Sequence, residues 1–137
     1  MELDYNQIFD GVSLALHAAF PTKNIFGGTV YQGLQKDSLN VVPVNTAEES
    51  HIATRSFRSV TFDVIYYPPD VDGIEACLEM QHKLSQILET ITTPNGDKIH
   101  GLHFRGTTDE TLHFIVTYPH FVYRPAEQNA MEHLTVL

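Results

Sequence analysis

Apolar residues recur along this chain with two different spacings, and the switches between them mark out the elements. From 4 to 19 the positions Ile8, Val12, Ala15, Leu16 and Ala19 return at three- and four-residue steps, as one face of a helix requires. Asp4 stands where an N-cap belongs, and Pro21 ends the pattern because the residue before a proline avoids helical dihedrals. Gly11 costs about 1 kcal/mol against alanine in mid-helix, which points to close packing there.

Residues 24–46 read as two short strands. Ile25–Phe26 and Thr29–Val30–Tyr31 flank Gly27–Gly28, and Leu39–Val42 follows the turn-like GLQKDS. Pro43 cannot donate a ladder hydrogen bond, so an edge or a bulge is expected at that point. TAEESHIAT (46–54) is polar and acidic and reads as an exposed loop or a long hairpin tip. RSFRSVTFDVIYY (55–67) is the clearest strand: Val60, Phe62, Val64 and Tyr66 share one face, Ser59, Thr61 and Asp63 the other.

After PPDVDG the helical spacing returns over 73–91, with Ile74, Cys77, Leu78, Gln81, Leu84, Leu88 and Ile91 as the stripe and Met80 and Ile87 on its flank. Asp72 is the expected N-cap and Glu75 completes a capping-box-like arrangement. TTPNGD ends the helix, and a hairpin is expected from Ile99 to Tyr123 with its tip near TTDE. The tail AEQNAMEHLTVL adds a short helix or strand, or stays loose until a partner orders it. The order α-β-β-β-α-β-β predicts an α+β fold, with a largely antiparallel sheet of about four to five strands and two main helices on one face. A chain of 137 residues suits one domain, 1–137, with 125–137 as a flexible C-terminal tail.

Charge narrows the function. The formal net charge is −9, with eight basic residues spread thinly, which argues against sequence-specific nucleic-acid binding through phosphate contacts. MELDYNQIFD is acidic and lacks an apolar core segment, so no signal peptide is expected, and no apolar run reaches the length of a membrane span. One cysteine, Cys77, rules out an internal disulfide and fits synthesis in a reducing cytoplasm.

HGLHFRGTTDETLHFIVTYPH (100–120) holds four of the eight histidines. Strict alternation places His100 with Leu102 and Phe104 on the inner face, opposite the core positions Leu112, Phe114, Val116 and Tyr118. It pairs His103 with His113 on the outer face and His100 with His120 on the inner one. Two pairs on opposite faces do not make the three or four converging ligands, each at about 2 Å, that zinc needs. No metal site, cofactor site or catalytic residue is therefore assigned. Cys77 lies on an apolar helix stripe and reads as packing, and IFGGTV lacks the spacing of a phosphate-binding loop.

Three segments together carry a family resemblance: AAFPTKNIFGGTVYQG after the first helix, RSFRSVTFDVIYYPP leading to CLEMQHKL, and TLHFIVTYPHFVYR. Their order resembles the small tail-terminator, or tail-completion, proteins of tailed phages and prophages of Gram-positive bacteria, over about residues 8–124. The resemblance implies a non-enzymatic structural protein of the virion tail, made in the bacterial cytoplasm. It would cap the tail tube as a homo-oligomeric ring, with the sixfold symmetry common in such proteins. It would end tube polymerisation and join tail to head. The implied partners are further copies of itself in a hexamer, the tail tube protein and a head-side connector, with DNA passing through the lumen and no membrane. Another head–tail connector or adaptor is the alternative, and a histidine-dependent metalloenzyme the third reading. The interface candidates are Glu48, Glu49, Ser50 and His51, the strand residues Arg58, Thr61 and Asp63 taken as one outer face, and Met131, Leu134 and Leu137 in the tail.

Overall fold

The structure, a computed structural model, describes residues 3–27, 36–52, 55–108 and 110–123. Its elements are α1 (Tyr5–Ala19), β1 (Ile25–Gly27), β2 (Ser38–Ile52), β3 (Arg55–Tyr67), α2 (Gly73–Ile87), β4 (Thr90–Thr92), β5 (Lys98–His100), β6 (Leu102–Thr108) and β7 (Leu112–Tyr123). A five-stranded sheet runs β1-β2-β3-β7-β6, parallel between β1 and β2 and antiparallel elsewhere. β4 and β5 form a separate two-stranded sheet. This is the α+β fold that the alternating periods predict. No helix among the described residues is long and apolar enough to cross a membrane.

The core forms where the two periods meet. Val60, Phe62, Val64 and Tyr66 of β3 lie opposite Tyr118, Val116, Phe114 and Leu112 of β7, all buried on one sheet face. Ile8, Val12 and Leu16 of α1 and Cys77, Met80 and Leu84 of α2 complete the same cluster. α1 starts as its sequence requires, with the Asp4 carboxylate accepting from the Gln7 N–H at 2.8 Å. Gly11 sits where the helix presses on β4: a Cβ there would stand 3.2 Å from the Thr92 carbonyl oxygen.

Three expectations change. α2 stops at Ile87 instead of Ile91, because Thr90–Ile91–Thr92 is a β-branched run facing Lys98–His100 across a turn. The Gly96 N–H bonds the Thr93 carbonyl at 2.9 Å with Gly96 at φ 92°, so Asn95–Gly96 is the hairpin signal. Asp72 holds the N-cap position but is left-handed (φ 58°) and makes no side-chain cap, whereas capping needs an extended backbone. The expected hairpin 99–123 is divided: Ile99 and His100 go to the small sheet, and only β6 pairs with β7.

TAEESHIAT is the long hairpin end of the two alternatives, since β2 continues to Ile52 and pairs with β3 as far as Arg55. Pro43 is at a register shift, and among the described residues β1 pairs with β2 only as far as Val41, which fits both expectations for the proline. The expected strand Thr29–Val30–Tyr31 lies outside the described residues.

Candidate functional site

The helices cover one face of the sheet, and its other face and both lateral edges carry the candidate residues. Pairing decides which face each one takes. Thr61 and Asp63 of β3 alternate with the core positions and face away from the helices. Their neighbours are Thr117, whose hydroxyl lies 2.9 Å from that of Thr61, and His113, whose Nδ1 lies 2.8 Å from Asp63 Oδ2. His113 Nε2 is 3.1 Å from the Thr111 hydroxyl. The second Asp63 oxygen is buried and makes no hydrogen bond among the described residues. Hydroxyl, imidazole and carboxylate thus stand in line, which fixes the ring orientation of His113 on this face.

Arg58 does not share that face. It has the parity of Val60 and lies opposite His120 on the helix side. Its Nε donates to Glu48 Oε2 at 3.0 Å, and its guanidinium lies over the Tyr5 ring, 5.7 Å from the centroid. The error was one residue of parity, and in a strand one residue exchanges the faces. His120 lies edge-on to Tyr5 and is buried, with Nδ1 3.2 Å from the Tyr118 carbonyl. Burial pushes the His120 pKa below its ordinary value. The bond to the Tyr118 carbonyl opposes that shift, and the Arg58 charge adds to it.

Glu49 lies opposite Phe57 on the face away from the helices, beside a shallow 280 Å³ groove lined by Ala47, Glu48, Phe57 and Ser59. Ser50 and His51 belong to β2 by their backbone, and their side chains lie outside the described part. Met131, Leu134 and Leu137 lie outside the described residues.

The four histidines of 100–120 occupy four separate environments. His100 bonds Thr90 in the small sheet, His113 bonds Asp63, and His120 sits by Tyr5. His103 lies in a β-bulge with φ 60°. The expected pairs His103–His113 and His100–His120 do not form: Thr107 stands opposite His113, the two residues His103 and Phe104 oppose the single Val116 and break the alternation of β6, and His100 belongs to the small sheet. Leu102, opposite Thr117 on the face away from the helices, is consequently 48% exposed, while Phe104 keeps its ring against that of Phe114 but is 38% exposed at the sheet edge. No group of three His, Cys, Asp or Glu side chains converges on a metal position among the described residues.

The bulge leaves β6 unusual. Leu102 to Arg105 are all exposed, and a 420 Å³ groove opens beside His103, Phe104, Arg105, Ile115 and Thr117. The opposite margin is similar: Pro43 to Glu49 of β2 are exposed on both faces. Sequence reasoning missed the β6 margin because its alternation looked regular, and only the exposed pairing reveals it. It also missed Asp37, which binds Lys23 at 2.7 Å and accepts a hydrogen bond from Tyr66. Burial works against Asp37 ionisation, but the bonds from Lys23 and Tyr66 and the Lys23 charge outweigh it, and its pKa falls below the usual value.

A family model described as phage tail terminator protein matches residues 7–130. No curated protein matches the chain.

Proposed function

The chain belongs to the phage tail terminator family, and on that premise we propose that copies of it form a ring on the head-proximal end of a tail tube, stop tube growth and present a surface to the head-side connector. The family match across residues 7–130 is the observation that carries this reading. The architecture supports it. Among the described residues both helices pack on one sheet face, which leaves the other face and the margins for neighbours. A formal net charge of −9 also suits a lumen through which DNA passes without adhering, since phosphates are repelled. The proposed contact residues are Glu48, Glu49, Thr61 and Asp63, with Arg58 acting through its hold on Glu48.

The test is deletion of the gene in the phage that encodes the chain, followed by electron microscopy of the lysate. Overlong or headless tails, restored to normal length by the chain supplied in trans, are expected. Infectious particles with tails of normal length in the deletion would overturn the proposal.

A further inference from the structure

The two margins of the sheet suit each other. β2 runs antiparallel to β3, β3 to β7 and β7 to β6, so β2 and β6 point in opposite directions. Rotation about an axis that lies broadly along the strands leaves strand directions unchanged. A second copy placed beside β6 in this way therefore presents its β2 antiparallel to it, and the alternation of the sheet continues across the junction. Among the described residues no strand pairs with the outer side of β6, or with β2 beyond Val41 on the side away from β3. An exposed edge carrying apolar groups is a template for another strand.

Charge also fits. The free part of β2 carries Glu48 and Glu49, and β6 carries Arg105 with His103 beside it. Glu49 and Arg105 both project from the sheet face away from the helices, by their pairing with Phe57 and Ile115. Neither has an ion-pair partner among the described residues. A continuous sheet keeps that face continuous, so these charges fall on the same side of the junction. Through the pairing Arg105 is level with Val42, about 20 Å along the strands from Glu49, so the second copy is staggered by that distance, as the strand tilt of a closed ring allows.

We infer that the β6 edge of one copy receives the Val42–Glu49 edge of a second copy, giving a head-to-tail interface in which Arg105 faces the acidic end of β2. The interface is heterologous, because two different surfaces meet, and such contacts close into rings when the rotation permits. This inference rests on the ring reading above and names the surfaces that make the ring.

Two variants of the full chain test it, Glu49→Arg and Arg105→Glu, with mass followed by light scattering over a concentration series, alone and with tail tubes. Each variant alone should raise the concentration for half-assembly at least about tenfold, the effect of about 1.4 kcal/mol per junction. An equimolar mixture should recover assembly, because every junction in an alternating ring then joins opposite charges, and the recovered species should exceed a dimer in mass. Wild-type rings with variants that assemble equally well would overturn the inference and leave the ring reading standing. Variants that fail alone and are not rescued by mixing would also overturn it. A wild-type chain that stays monomeric both alone and on tubes would overturn the ring reading and the inference with it.

Discussion

The Tyr118 hydroxyl donates to the Leu88 carbonyl at 2.7 Å, joining the middle of β7 to the end of α2 across thirty residues of chain. Leu88 caps the helix, where the last carbonyls have no helical partner, and Tyr118 is fully buried. Burial holds the phenol far above its ordinary pKa, so it remains a donor throughout the usual pH range. Tyr118→Phe keeps the ring and strands a buried carbonyl. It should cost about 1–3 kcal/mol in urea denaturation with an unchanged slope. A loss below experimental error would mean that water or a neighbouring N–H replaces the hydroxyl.

The same corner sets the demands on two glycines. A Cβ on Gly101 would stand 2.9 Å from the Leu88 oxygen and 2.9 Å from Val116 Cγ2, both held by the fold. A Cβ on Gly106 would meet the Gln81 amide, the far end of a flexible side chain. Gly101→Ala should therefore destabilise by about 1–3 kcal/mol and Gly106→Ala by less. Gln81→Ala should remove most of the Gly106→Ala cost, a coupling that a double-mutant cycle measures. Equal costs for the two glycine substitutions would contradict this packing.

His120 gives stability a pH dependence of definite sign. Its folded pKa lies below the ordinary 6.5, chiefly because it is buried. The unfolded chain thus binds the proton more readily. The contribution is fully present above about pH 6.5, and is lost as the pH falls through the lowered folded value. Denaturation midpoints measured from pH 7.5 down to 5 should decline in the wild type, and the decline should be shallower in His120→Asn. Parallel profiles would show that His120 does not govern this range.

How legible the molecule was depends on where the simple periods hold. β3 and β7 keep strict alternation, so Val60, Phe62, Val64, Leu112, Phe114, Val116 and Tyr118 were readable as core. α1 was readable from its stripe and its cap. Failures cluster where one residue changes the count. The bulge at His103–Phe104 moved Leu102 to the other face, and α2 yielded to the Thr90–Thr92 strand at an Asn-Gly turn that the sequence displays. Ile74 continued the helical stripe but is 79% exposed. Of the candidate surface, Glu49, Thr61 and Asp63 were recognisable as non-core. The β6 margin was not, since an edge is a property of pairing and leaves no local period.

The cluster of Glu48, Arg58 and Tyr5 separates ion pairing from cation stacking. Arg58 holds Glu48 at 3.0 Å and lies over the Tyr5 ring, so it ties the hairpin end to the start of α1. Glu48 is 42% exposed, and a pair so open to water contributes about 0.5 kcal/mol. Stacking of a guanidinium on a tyrosine adds about 0.5–1 kcal/mol. Glu48→Gln should therefore cost about 0.5 kcal/mol and fade with added salt, while Arg58→Ala costs about 1–2 kcal/mol and keeps most of that loss in salt. Both are read by denaturation at a concentration low enough to keep the chain monomeric, so that assembly does not contribute. If the two variants lose equal stability and both losses vanish in salt, the Tyr5 ring adds nothing and the ion pair alone fastens the hairpin.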